Sequence, residues 1–200
     1  MILDQTTRYP NYDVMNEQLA WDDHTRSIVT ARLHRTQPLC VFLTTMEEET
    51  LRSWCALLVD DNRGELIQYI IAHIDETLSS AKGEGQRQPH TPPAPILVRR
   101  GLHAVNASSR MADSLSFFHL EEGRQRQLMM DIAAGTLAGG EAWEGVPQRA
   151  FFQKLLSLTV EAYYSHPTVW SEIGHGGPAY PRGYVRTAIG QLDPWEASER

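Results

Sequence analysis

Histidines are the residues of this chain best suited to hold a metal or move protons. It has eight of them, His24, His34, His73, His90, His103, His119, His166 and His175. A catalytic or structural zinc site needs three or four ligands at set spacings, as in HExxH or paired CxxC motifs. Neither pattern occurs here, so no metal ligands are assigned. His73, four residues from Tyr69, reads as a helix-face residue. The run Glu47-Glu48-Glu49 supplies three carboxylates to the start of a helix, where the N-terminal dipole and the free amides account for them without acid–base chemistry. Ser108, Ser109 and Ser114 lack the strand–turn–helix setting of a hydrolase nucleophile. No glycine fingerprint or phosphate loop for a nucleotide is present. No catalytic residue is assigned, and no cofactor is expected to be held by this chain.

The elements that position these residues read as helices. Asp22 and Asp23 offer caps for a helix from near Asp22 to Leu33. Thr44-Thr45-Met46-Glu47 has the form of a capping box, and Leu51, Trp54, Cys55, Leu58 and Val59 follow at one-face spacing. Beyond the turn Asp60–Gly64, the residues Leu66, Ile67, Ile70, Ile71, Ile74 and Leu78 repeat that stripe. Ile96, Leu97, Gly101, Leu102, Val105 and Met111 define a fourth helix. Leu128, Met129, Ile132 and Ala133 define a fifth that Gly135 ends. A sixth runs from Arg149 to about Ser165, with Pro147 tolerated in its first turn. No segment alternates with the period of a strand. The expected fold is mainly α: a single domain over residues 1–200, a bundle of about six helices with long irregular loops, including an exposed loop at 81–95, and an irregular, extended Gly/Pro/aromatic segment at 166–200.

Composition narrows the function. The formal net charge is −7 and the basic residues are scattered, which disfavours nucleic acid and anionic lipid as partners. No window approaches the ~20 apolar residues of a membrane span, so direct membrane insertion is not expected. The opening residues lack a secretory pattern, and Arg99-Arg100 lies too far along the chain to act as a twin-arginine signal. A cytoplasmic location is expected on that ground, with the periplasm as the alternative if a leader was removed or a partner directs export. Two cysteines make no disulfide framework, and whether Cys40 and Cys55 pair is left open.

The stretch Tyr163 to Tyr184, YYSHPTVWSEIGHGGPAYPRGY, is the unusual one. Gly174, Gly176, Gly177 and Gly183 with Pro167, Pro178 and Pro181 are expected to stop the helix and forbid regular structure. Trp170, Tyr180 and Tyr184 on an irregular backbone must then lie on something. They either wrap the chain's own helices or present aromatic anchors to a partner.

With its flanks, FFQKLLSLTVEAYYSHPTVWSEIGHGGPAYPRGYVR resembles the C-terminal signature of the gluconate 2-dehydrogenase subunit 3 family. YPNYDVMNEQLAWDDHTRSIVTARL and FLTTMEEETLRSWCALLV are similar to members that lack a leader. The resemblance covers most of the chain and is weakest from Ala81 to Gly140. It implies a non-catalytic small (gamma-type) subunit of a heteromeric dehydrogenase. The expected partner is a flavoprotein of the glucose-methanol-choline (GMC) type that holds FAD and oxidises a sugar, glycoside or polyol hydroxyl, with a cytochrome c as third subunit in many cases. The small subunit would serve folding, stability or export of the flavoprotein. The expected partner-binding residues are Tyr163, Tyr164, His166, Pro167, Trp170, His175, Gly176, Gly177, Pro178, Tyr180, Pro181, Arg182 and Tyr184. His166 and His175 reaching into the partner's active site is a further alternative. A stand-alone helical enzyme with a recruited metal, or a chaperone-like adaptor that releases its client, are the competing readings.

Overall fold

Buried polar side chains that satisfy backbone amides decide where several of the helices begin. A computed structural model describes residues 7–34, 40–80, 89–138 and 140–198. Its backbone contacts divide the chain into two compact units, Gln37–Ala162 and Met1–Thr36 together with Tyr163–Arg200. We refer to them as the central and the terminal unit.

In the central unit, α2 (Thr45–Val59) starts at the capping box anticipated from sequence. Thr44 Oγ1 accepts the Glu47 amide, and the Glu47 carboxylate accepts the Thr44 amide at 2.8 Å. Glu47 is buried, and its second oxygen faces Arg99 Nε at 3.2 Å. Glu48 and Glu49 pair along the helix with Arg52. The acidic run thus works as cap and ion pairs. Just upstream, the buried Asp75 carboxylate accepts three successive amides, those of Val41, Phe42 and Leu43, at 2.8–2.9 Å. It fixes the chain leading into α2.

Helix α3 (Gly64–Ser79) buries Leu66, Ile67, Ile70, Ile71, Ile74 and Leu78, the stripe read from sequence. Helix α4 (Ala94–Asp113) buries Leu97, Val98, Gly101, Leu102 and Val105. Ile96 and Met111, placed in that stripe by spacing, are exposed instead. The buried face is rotated towards Val98 and Ala104, a turn of the helix that apolar spacing alone does not resolve. Helix α5 (Glu122–Ala134) ends at Gly135, which takes the left-handed conformation at φ +67°. Helix α6 (Gln148–Tyr163) follows. Pro147 lies just ahead of it, its carbonyl accepting the Phe151 amide.

These helices meet around Trp54, which is fully buried. Its ring centroid lies 5.6 Å from that of Phe117 and 5.5 Å from that of Phe151, and Phe151 in turn lies 5.9 Å from Trp143. Burying each such side chain contributes about 1.5–3 kcal/mol. Asn106 closes the polar side of this cluster, donating to Thr50 Oγ1 at 2.6 Å and accepting the Phe117 amide at 3.0 Å.

The terminal unit contains a 3-10 segment, Val14–Ala20, then α1 (Asp23–Leu33) capped by Asp22, and a seventh α-helix, α7 (Pro167–Ile173). Among the described residues there are seven α-helices, two further short 3-10 turns at Phe117–His119 and Glu141–Trp143, and no β-strand. The mainly α expectation holds, with one more helix than the six anticipated. Helix α7 corrects the reading of 166–200 as wholly irregular. Pro167 occupies its first position, where a missing N–H costs nothing, and His166 caps it. Of the anticipated loop at 81–95, residues 81–88 lie outside the described residues, and α4 has already begun at Ala94. Cys40 and Cys55 are both free thiols. Burial pushes Cys55 up to about 12. Cys40 is pushed to about 12 by desolvation and by the Glu48 and Asp75 carboxylates.

Gly101 tests the packing of the cluster. A β-carbon there would run into the ring of Phe151, which is itself fully buried. The change Gly101→Ala gains about 1 kcal/mol of helix propensity but overpacks a site where the ring cannot retreat. The expected net loss is about 1–2 kcal/mol, read as a lower denaturant midpoint. An unchanged or raised midpoint would show that the ring moves freely.

Candidate functional site

The histidine-proline turn after α6 builds the first part of the site. His166 Nδ1 accepts the Thr168 amide at 3.2 Å, so its tautomer is set by a helix cap. His166 and Pro167 are buried, as is Tyr163, while Tyr164 stands exposed with its ring edge-on to Tyr163. Trp170 is buried on the inner face of α7. It donates from its indole N–H to the Tyr164 carbonyl, and the Arg32 guanidinium lies 5.6 Å from its ring. Trp170 joins Val14, Trp21 and Val29 in the apolar cluster of this unit.

Beyond α7 the chain packs against the residues of both chain ends. Gly174 caps α7 at φ +74°, and a β-carbon on it would lie 2.6 Å from the Tyr9 ring. At Gly176 a β-carbon would lie 2.5 Å from Trp195 Cδ1. At Gly177, with φ +76°, it would lie 2.8 Å from the Trp21 ring and 3.1 Å from Val14. Real β-carbons do not approach this closely, and two of the three positions also need the left-handed backbone that glycine adopts without penalty. Hydrogen bonds follow the same seam. Ser171 Oγ accepts the Val14 amide at 3.0 Å, Thr7 Oγ1 donates to the Glu172 carbonyl at 2.6 Å, and the Ala197 amide donates to the Gly174 carbonyl at 3.2 Å. Tyr12 donates from its hydroxyl to the Trp195 carbonyl at 2.7 Å.

Charge is placed sparingly. The Arg182 side chain is 7% exposed; its guanidinium donates to the Gly176 carbonyl, lies 4.4 Å from the Trp195 ring and has Nη1 3.8 Å from Glu17. Burial lowers its affinity for the proton, and Glu17 opposes that most strongly. The exposed His175 imidazole is held below its ordinary range by partial desolvation, with Glu196 opposing and Arg182 assisting. The Tyr12 hydroxyl is pushed up to about 12, chiefly by desolvation and then by Glu17.

The expected site residues therefore divide. Tyr163, His166, Pro167, Trp170, Gly176 and Arg182 are buried or nearly so, and Gly177 and Pro178 are half-buried. Tyr164, His175, Tyr180, Pro181 and Tyr184 are exposed, with Tyr180 and Tyr184 each at 69% and a cis bond joining Tyr180 to Pro181. Sequence reasoning missed Tyr9, Tyr12, Val14, Trp21, Trp195 and Ala197 as the seat of the glycines. The isolated Trp195 beside Pro194 near the chain's end was the available signal.

An open groove of about 340 Å³ lies on the same unit, lined by Tyr9, Pro10, Tyr12, Asp13, Met15, Pro167 and Glu172 among others. Its Tyr12 hydroxyl, Asp13 carboxylate and Ser171 hydroxyl are taken up by hydrogen bonds within the unit. It offers shape more than reactive groups. Among the described residues no three His, Cys, Asp or Glu side chains are grouped to hold a metal, and no helix is long and apolar enough to cross a membrane.

The family model described as gluconate 2-dehydrogenase subunit 3 matches residues 45–177. No curated protein and no solved structure matches the chain.

Two substitutions test the geometry. Gly177→Ala should lower stability by about 1–2 kcal/mol from the left-handed backbone alone, read by denaturant unfolding. Tyr12 carries a pH signature. Its folded-state pKa is raised, from 10.0 to about 12, so its contribution is complete below pH 10 and is lost as the pH climbs towards 12. The Tyr12→Phe variant should lose about 1 kcal/mol at neutral pH and decline less steeply across that alkaline window. Identical alkaline profiles for the two proteins would contradict the hydroxyl's role.

Proposed function

The chain belongs to the gluconate 2-dehydrogenase subunit 3 family, and we propose that it is the non-catalytic small subunit of a heteromeric FAD-dependent dehydrogenase. Its partner in this reading is a GMC-type flavoprotein that oxidises a sugar, glycoside or polyol hydroxyl. The small subunit supports the folding, stability or export of that flavoprotein, and a cytochrome c is the further subunit that would carry electrons away. The single observation that carries the reading is the family match across residues 45–177. The aromatic residues Tyr180 and Tyr184, left exposed after the glycine seat, support it as an accessible surface for a partner.

The groove does not offer what a flavin's phosphates need. The groove carries Asp13 and Glu172, whereas a dinucleotide's phosphates need amides and cations, and the sequence has no glycine fingerprint ahead of a helix. In this reading FAD, and the redox chemistry it supplies, belong to the partner. What this chain contributes is binding: rigid backbone and aromatic surface whose ordering cost is met during its own folding.

Co-expression with a GMC-type flavoprotein from the same genome provides the test. The expected result is a complex that elutes as one species with flavin absorbance and reduces a dye in a sugar-dependent manner. A flavoprotein that is soluble and active alone, and ignores this chain, would overturn the proposal. Activity of the isolated chain would favour a stand-alone enzyme, and association lost once the flavoprotein has folded would favour a chaperone-like adaptor.

A further inference from the structure

The segment after the glycine seat is apolar, exposed and internally fixed. Asp193, whose side chain is 1% exposed, accepts the amides of Val185 and Arg186, each at 2.8 Å. The Gln191 side-chain carbonyl accepts the Thr187 and Ala188 amides at 3.1 and 3.3 Å, and the Gln191 amide closes a turn onto the Ala188 carbonyl at 3.2 Å. Gly190 takes φ +80° at the corner. The turn holds Ile189 out at 108% exposure, the largest value among the exposed hydrophobic residues. Tyr184, Val185 and Leu192 flank it at 69%, 53% and 52%. A chain that spends a buried carboxylate and a glycine corner on displaying isoleucine has fixed a surface in advance of whatever covers it.

The charges decide what that is. From Pro178 to Leu192 there is no acid and no lysine, and the two arginines are Arg182 and Arg186. Arg182 is buried beside Trp195 and Glu17. Arg186 lies 3.9 Å from Asp193 and 3.6 Å from Glu196. A lipid headgroup or nucleic-acid site requires unpaired cations, and both cations of this arm face acids of the same unit. A patch whose cations are paired within the unit, rich in tyrosine and branched aliphatics and free of Lys, Glu and Asp, has the composition of the centre of a protein interface.

We propose that the arm Tyr180–Leu192 is the docking element for the catalytic dehydrogenase subunit, with Ile189 as the anchor that enters an apolar pocket of that protein. This rests on the function proposed above, and extends it to Val185, Ile189 and Leu192. The test compares wild type with Ile189→Asp, and with Met111→Asp as a control at another exposed apolar position, 79% exposed on α4. Each is co-expressed with a GMC-type flavoprotein from the same genome, and the affinity of the purified pair is measured alongside the thermal unfolding of the free chain. The expected result is an affinity at least about 30-fold weaker for Ile189→Asp, with wild-type affinity for Met111→Asp and unfolding unchanged in both. Equal affinity of all three would overturn the arm as the docking element while leaving the subunit reading intact. No complex with wild type would overturn the subunit reading and the arm with it. A concentration-dependent dimer of the free chain abolished by Ile189→Asp would make the occupant a second copy, and would overturn the proposal too.

Discussion

No β-carbon fits at Gly174, Gly176 or Gly177, because the rings of Tyr9, Trp195 and Trp21 already occupy the space. That exclusion joins three stretches distant in sequence, the opening residues, the segment after α7 and the last turn of the chain. The remaining contacts of the terminal unit depend on it. Ser171 can meet the Val14 amide, Tyr12 can reach the Trp195 carbonyl, and Trp170 can bury its ring beside Val14, Trp21 and Val29, because the glycines let the backbone come close enough. Each hydrogen bond contributes only about 1 kcal/mol on balance, and the burial of two tryptophans and two valines contributes more. The seat is therefore a packing constraint, with the hydrogen bonds setting its register.

The central unit is organised differently, by polar side chains that finish helices and aromatic rings that fill the space between them. Glu47, Asp75 and Asn106 are buried, and each satisfies backbone amides whose exposure to an apolar interior would otherwise cost about 1–3 kcal/mol. Around them Trp54, Phe117, Phe151 and Trp143 form a contiguous cluster. Glu47, Asp75 and Asn106 all direct their polar atoms to backbone amides and neighbouring side chains of the same unit.

How much of this was legible follows from how local each signal is. The capping box at Thr44–Glu47, the stripe of α3 and the stop at Gly135 are written within a few residues and read correctly. Helix α7 was missed because its prolines and glycines were read as breakers, when Pro167 sits in the first turn and Gly174 just past the last. The face of α4 was misjudged because Ile96 and Met111 are apolar at acceptable spacing, and only packing against elements distant in sequence decides that Val98 faces inward. The glycine seat was the least legible part, since an isolated Trp195 beside Pro194 hints at an anchored end without saying what it packs on. Trp21 and Trp195 lie about 170 residues apart, and nothing local to either says that they flank the same turn. The aromatic segment raised two alternatives, packing on the chain itself or on a partner; Tyr163, His166, Trp170, Gly176 and the Arg182 side chain pack on the terminal unit, whereas Tyr180 and Tyr184 stand exposed.

That division is the centre of the proposal, which takes the buried part as what holds the terminal unit together and the exposed part as the surface that meets the flavoprotein. Hydroxyl-radical footprinting of the free chain and of its complex with the flavoprotein tests it most directly. The account predicts that Trp21 and Trp170 resist oxidation in both states, whereas Tyr180, Tyr184, Ile189 and Leu192 are oxidised in the free chain and protected in the complex. Oxidation of Trp21 and Trp170 in the free chain, with protection appearing only on complex formation, would show that the glycine seat belongs to the partner interface and would contradict it.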